Sequence, residues 1–312
     1  MAYKKPVASI SLDLDNQWSY MKIHGDEGWD KYPSYFDIFV PHILNVLDEL
    51  DLKITFFIVG KDTETEENRK YLKMITDRGH EVGNHSYYHE SWLQTYSYEK
   101  IEKEITEAEE AIFLATGQRT KGFRGPGFSW SMDLLEVLKK RGYLYDASTL
   151  PTWLGPLARA YYFWKSDLPE EEKKARKELF GKFSDGLRPN KPYFHNLAKG
   201  QKLLEIPVST IPILRVPFHL SYLIYLSGIS DFLMKLYLSI AIFFCKITNT
   251  RPSYLLHPLD LIGGDKIQAL AFFPGMNIPT SKKVEVFNYV LNKFKCEFDL
   301  LTMLEFVAQS KK

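Results

Sequence analysis

Residues 7–15 (VASISLDLD) alternate apolar and polar positions in the manner of a β-strand, and the last positions of the run are acidic. Residues 36–52 then carry helical periodicity around Pro41, and residues 53–60 (KITFFIVG) form a β-branched, aromatic run that stops at a glycine. The alternation continues with a helix over 64–78, a short strand over 80–85 and a helix over 98–116 bounded by Gly117. Residues 123–125 read as a strand end, 132–141 as a helix stopped by Gly142, and 143–147 as extended chain. Farther on, 203–209, 253–257 and 298–301 read as strands, 282–294 as a helix, and a last helix closes the chain.

Strands that alternate with helices imply parallel βαβ units. No glycine-rich phosphate loop of the GxGxxG or GxxxxGK kind follows the first strand, so a barrel of about seven such units is favoured over a doubly wound nucleotide-binding sheet. The expected organisation is one α/β barrel domain over residues 1–312, interrupted by an insertion at 151–202 and by an apolar helical segment at 206–246. The insertion carries a charged helical piece at 170–178 and the aromatic run YYFW at 161–164, which suits a membrane-surface belt or a sugar platform equally.

Composition narrows the function classes. With 312 residues, 45% of them apolar and 25% charged, the chain can bury a sizeable core, which excludes disorder. A formal net charge of +1 provides no global field for nucleic acid, so a nucleic-acid partner is not expected. Cys245 and Cys296 make neither a disulfide scaffold nor a thiolate metal site. The first residues run directly into the alternating strand without the apolar run of a secretory signal, which points to a cytoplasmic location.

Residues 216–230 hold fifteen positions without a formal charge, followed by Asp231 and Lys235, short of the roughly 20 residues that span a bilayer. Two readings stay open for this segment: helices packed against the barrel, or an interfacial element at the membrane surface beside a lipid-linked substrate.

The chemistry-bearing residues collect at the ends of the expected strands, where barrel enzymes place their catalytic groups. Asp13 and Asp15 close the first strand and share a face because the side-chain period is two. His85 and His89 (HSYYH), read as one helical turn, share a face at a spacing that grips one metal ion, although the same spacing fits a solvated helix face. Two histidines and one carboxylate make an open site for zinc or a similar divalent metal. Ser86 stands where the glutamate of HExxH would be, which disfavours a thermolysin-like protease. Arg124, Asp146 and His257 end later strands.

Taken in order from Asp13 to His257, these residues resemble the polysaccharide deacetylase family, carbohydrate esterase family four. The resemblance implies a distorted (β/α) barrel and a metal-dependent N- or O-deacylase. It implies Asp13 as catalytic base and Asp15 as metal ligand in SLDLDN, with His85 and His89 as the other ligands. Arg124 in the run Arg124, Gly125, Pro126 would contact the base, and His257 after Leu255 and Leu256 would be the general acid. Asp146 and Trp153 approximate the looser fourth motif, and together with Pro126 and Trp18 they are the substrate-binding candidates. The Asp-x-Asp spacing, in place of adjacent aspartates, resembles a branch that includes lipid-linked aminosugar deformylases and some peptidoglycan deacetylase homologues.

The expected function is removal of an acetyl or formyl group from the nitrogen of an amino sugar, on a lipid-linked or cell-envelope precursor, with a divalent metal, zinc foremost. Peripheral contact with the inner face of the membrane belongs to that reading. The alternatives are a peptidoglycan or chitin-oligomer deacetylase and a non-catalytic sugar-binding barrel. All six Trp lie within the first 164 residues, and Trp18, Trp92, Trp130 and Trp153 each follow a motif residue, which predicts an aromatic rim around the metal.

Overall fold

The computed structural model describes residues 5–155 and 183–310. The charged piece at 170–178 and the YYFW run at 161–164 lie outside the described residues. The described elements run β1 (Val7–Leu14), α1 (Gln17–His24), α2 (Phe36–Glu49), β2 (Thr55–Ile58), α3 (Glu66–Asp77), β3 (Glu81–Asn84), α4 (Tyr98–Thr116), β4 (Gly122–Phe123), α5 (Met132–Lys140) and β5 (Tyr145–Asp146). They continue with β6 (Tyr193–Asn196), β7 (Lys202–Glu205), α6 (Leu220–Ile229), α7 (Asp231–Ile247), β8 (Ser253–Leu256), α8 (Thr280–Glu297), β9 (Asp299–Leu301) and α9 (Met303–Ser310).

The strands form one sheet in the order β6-β7-β5-β4-β3-β2-β1-β8, with β9 paired to the start of β1. From β7 to β8 all neighbours are parallel, which is the seven-strand path that the alternation predicts. The sheet curls until its ends meet: Ser209, just past β7, donates its backbone N–H to the Ser253 carbonyl on β8 at 3.0 Å. The result is an α/β fold with a distorted barrel. Two strands are additions to that path, and one of them, β6, comes from the expected insertion and pairs antiparallel with β7.

Alternation along the strands separates two faces. Val7, Phe57, Tyr145, Ala147, Leu204 and Ile206 point inward and are plugged at one end by Met303, Phe306 and Val307 of α9. Outward residues such as Leu12, Ile58 and Val82 pack under α2, α3 and α4. The inner face is crowded, and Gly83 on β3 is what makes room: a Cβ there would lie 2.5 Å from the Phe57 ring.

The apolar segment resolves into α6 and α7, joined at Ser230, whose hydroxyl caps α7. Each helix buries one side, Leu220, Leu223 and Ile224 on α6 and Met234, Leu238, Ala241, Ile242 and Cys245 on α7. Each also leaves large apolar residues in water, Phe232, Leu236, Ile240, Phe243 and Ile247 on α7 among them. Among the described residues no helix is long and apolar enough to cross a membrane.

Candidate metal and catalytic site

β1 delivers Asp13 and Asp15 to the end of the strand, and the loop after β3 delivers His85 and His89. The Asp15, His85 and His89 ligand atoms lie within 4.8 Å of one another, all three residues buried. Asp15 Oδ1 is 3.0 Å from His89 Nε2 and 3.5 Å from His85 Nε2. Among the described residues this oxygen accepts no aligned hydrogen bond. Burial works against ionisation of Asp15, but His89 and His85 outweigh it and hold the carboxyl well below the usual range.

His85 Nδ1 lies 2.6 Å from the Arg124 carbonyl, so it carries the proton and leaves the Nε2 lone pair facing Asp15. A carboxylate oxygen without a partner, an imidazole whose lone pair is turned toward it and a second imidazole alongside form a donor set that fits a divalent cation with open positions.

The loop is not the helical turn that the HxxxH spacing predicts. Ser86 and His89 both have left-handed backbone, φ 61° and φ 51°. Its N–H groups are taken by side chains: Asn84 Oδ1 accepts from Ser86 N, and the buried Glu104 of α4 accepts from Tyr87 N and Tyr88 N. Its carbonyls are taken by the turn after β2, with Gly60 N donating to Ser86 O and Lys61 N to Tyr87 O. With donors and acceptors spent on neighbours, no i to i+4 ladder forms, and the two imidazoles converge through loop geometry, 5.1 Å between ring centroids.

Asp13 is held by a fully buried arginine. Arg124 Nη1 donates to Asp13 Oδ1 at 2.7 Å and to Ser11 Oγ at 2.9 Å, Nε donates to the Ala147 carbonyl at 3.1 Å, and the guanidinium lies 4.3 Å from the Phe57 ring centroid. The pair keeps Asp13 in fixed orientation at the mouth of the barrel. Pro126 is buried in the turn that follows.

His257 directly follows β8 and is half-buried against its own turn, with Asp260 Oδ2 accepting its backbone N–H at 2.9 Å and lying 3.7 Å from Nδ1. Burial lowers the pKa of this imidazole, but Asp260 first, then Asp13 and Asp15, raise it to about 9. Asp260 was not foreseen; an acidic residue three positions after a strand-end histidine, across Pro258, was its only signal. Ser221 Oγ at the start of α6 is 3.5 Å from His257 Nδ1, so the apolar helix pair begins beside this histidine. His219 packs 6.0 Å away, and burial together with His257 pushes its ring down to about 3.

Asp146 and two of the Trp residues stand elsewhere. Asp146 is fully buried, accepts from Ser148 Oγ at 2.5 Å and is the register partner of Glu205 on β7, on the outer face of the sheet. The strand has turned by one residue, so Tyr145 and Ala147 point inward and Asp146 does not. Trp18 is 1% exposed and offers no face to a sugar; its indole Nε1 donates to Asp62 and its edge packs on His89. Trp130 also lies on the outer side, stacked near His195 and Arg188. Trp153, 39% exposed with its Nε1 bonded to the Leu214 carbonyl, keeps part of its ring open. The expected aromatic rim therefore does not form as a set. A cavity of about 580 Å³ lined by Lys5, Cys245 and Arg251 lies at the opposite end of the strands, away from this chemistry.

Residues 26–145 match the family model described as polysaccharide deacetylase. A peptidoglycan deacetylase of Helicobacter pylori is 32% identical over 151 residues, covering 47% of this chain and 50% of that protein. A peptidoglycan deacetylase-like protein of Gibberella zeae is 35% identical over 152 residues, 46% of this chain and 43% of its own length. A chitooligosaccharide deacetylase of Sinorhizobium fredii is 29% identical over 106 residues, 34% of this chain and 48% of that protein. The chain thus spans about half the length, or less, of these curated relatives. A solved structure from Mycobacterium smegmatis, assigned as a polysaccharide deacetylase, aligns at TM-score 0.57 and 17% identity over 98% of this chain and 94% of that one. Puue allantoinase aligns at TM-score 0.57 and 14% identity over 99% and 91%. These two likenesses are of fold. Through residues 26–145, less than half of its length, the chain is similar to the polysaccharide deacetylase family.

Proposed function

We propose that the protein is a metal-dependent hydrolase that removes an N-acyl group, acetyl or formyl, from an amino sugar. The convergence of Asp15, His85 and His89 beside an arginine-held Asp13 carries this reading. Asp15, His85 and His89 would hold a divalent metal, zinc by the chemistry of the donor set. A metal bound there supplies Lewis-acid polarisation of the acyl carbonyl and acidifies a water. Asp13, held in orientation by Arg124, takes the proton of the attacking water. His257, protonated up to about pH 9, gives a proton to the leaving amine. Trp153, 39% exposed, leaves part of its ring open to a sugar.

The substrate class is an acylated amino sugar of the kind named for the peptidoglycan and chitooligosaccharide deacetylases that the chain resembles. A lipid-linked sugar is the more specific form of this reading, and one observation favours it. The exposed apolar residues Tyr222, Tyr225, Ile229, Phe232, Leu236 and Ile240 run along α6 and α7 from a helix start that touches His257. Such a face fits a prenyl tail or the membrane surface from which one is presented.

The test is acetate or formate release from a panel of N-acylated amino sugars, each with and without a polyprenyl phosphate tail. Release that is faster with the tail supports the lipid-linked form, and equal release supports a peptidoglycan or chitin-type oligomer. A protein that binds the sugars and releases no acid contradicts the enzyme reading.

A further inference from the structure

His85 is oriented by the hydrogen bond from its Nδ1 to the Arg124 carbonyl. His89 has no such bond: its Nδ1 is buried and without a hydrogen-bond partner among the described residues. Metal-binding histidines ordinarily donate their second ring nitrogen to a fixed acceptor, which sets ring direction. The direction of His89 therefore rests on packing, and the ring that packs on it edge-on besides His85 is Trp18, 6.4 Å between centroids.

Trp18 is held in turn. Its Nε1 donates to Asp62 Oδ1 at 2.7 Å, and the same oxygen accepts Asn16 Nδ2 at 2.8 Å. Asp62 lies in the short turn after β2 and is 2% exposed. Asn16 directly follows the ligand Asp15, and its Oδ1 accepts the backbone N–H groups of Gln17 and Tyr35. Tyr35 completes the arrangement by donating its hydroxyl to the Asp15 carbonyl. A single carboxylate oxygen on β2's turn thus ties both arms of the site, the β1 end through Asn16 and the His89 ring through Trp18.

We propose that Asp62 is a positioning residue for the metal centre, acting through Trp18 on His89 and through Asn16 on Asp15. The proposal rests on the reading of Asp15, His85 and His89 as metal ligands. Its role is geometric, so asparagine, which keeps an acceptor oxygen at the same place, substitutes for it and a residue without an acceptor does not.

The experiment measures Co²⁺ and Zn²⁺ affinity of the full chain by competition with a chromophoric chelator, together with the visible spectrum of the Co²⁺ form, which reports ligand geometry and not fold stability. Asp62→Ala is expected to weaken affinity roughly 10- to 100-fold and to alter the Co²⁺ bands. Trp18→Phe, which keeps a ring and loses the N–H, shifts both in the same direction by less, and Asp62→Asn restores most of the affinity. The double variant Asp62→Ala with Trp18→Phe loses less than the product of the two single losses, because the two residues act in one chain of contacts.

Wild-type affinity and spectrum in Asp62→Ala overturn the proposal. If that variant does not fold, wild-type values in Trp18→Phe overturn it instead. His85→Ala separates the two levels: if it binds metal as tightly as wild type, the metal reading itself fails, whereas loss there with no change at Asp62 and Trp18 removes the positioning role alone.

Discussion

Asp15, His85 and His89 stand on the inner side of the sheet at the ends of β1 and β3, while Asp146, Glu205 and His195 stand on its outer side on β5, β7 and β6. The inner group sets two histidines against one carboxylate and the outer group one histidine against two, and all of these residues but the half-buried His195 are buried. In the inner group the ligand atoms converge, and an oxygen of Asp15 is left without a hydrogen bond. In the outer group the carboxyls are direct register partners, Glu205 accepts from Thr149 N at 3.0 Å and Thr149 Oγ1 at 2.6 Å, and His195 Nε2 lies 3.5 Å from Glu205. Burial, then each other's charge, pushes Asp146 well above its ordinary range, and burial pushes Glu205 up to about 7. The arrangement that satisfies both outer carboxyls is one shared proton. The same residue types at strand ends therefore meet two different environments, and the side of the sheet decides which.

The comparison breaks first at the inner group. His85→Ala should lose bound metal and turnover together, whereas Asp13→Asn should keep the metal and lower kcat/KM by ~10²–10⁴. Metal content by elemental analysis and acyl-release kinetics on the same preparations check this, and metal retained with activity in His85→Ala contradicts it.

The next effect concerns His257. Its imidazole is raised to about 9, so the general-acid form persists until pH rises through that value, and the alkaline limb of the rate profile should fall near it. Asp260→Asn removes the first cause of the shift and should move the limb down toward the ordinary imidazole range. An unmoved limb means that Asp260 does not set the acid.

The smallest effect sharpens the outer group. Glu205 binds its proton more tightly folded than unfolded, so its cost is absent below the ordinary carboxyl pKa, builds as pH rises from about 4.5 toward about 7, and is complete above. Glu205→Gln should therefore be more stable than wild type by on the order of 1–3 kcal/mol above about pH 7, with the difference vanishing on acidification. Urea denaturation across that range measures it, and a difference independent of pH rules out the shared proton.

Much of this was legible along the chain. The alternation at β1 and the glycine-bounded helix over 98–116 located the elements, because both are long and strongly periodic. Of the ordered set Asp13, Asp15, His85, His89, Arg124 and His257, the structure brings Asp15, His85 and His89 together and pairs Asp13 with Arg124. The conformation of the HSYYH loop was not legible, since it is imposed by Glu104 and Asn84 from other elements. Asp146 was misplaced because β5 is two residues long, too short for alternation to reveal which face a residue takes. The burial of Trp18, a substrate-binding candidate on the sequence, was not legible because nothing local shows that Asp62, 44 positions away, captures its indole.

On the proposed function, Asp15, His85 and His89 hold one divalent metal and Asp13 acts as the base that hydrolyses an N-acyl amino sugar. Acetate release from an N-acetylated amino-sugar oligomer by metal-stripped protein, retitrated with Zn²⁺, tests it most directly. The expected result is no release from the stripped wild type, recovery that saturates at one equivalent of metal, and no recovery in Asp13→Asn although it takes up the same equivalent. Release by the stripped protein, or full recovery in Asp13→Asn, would contradict it.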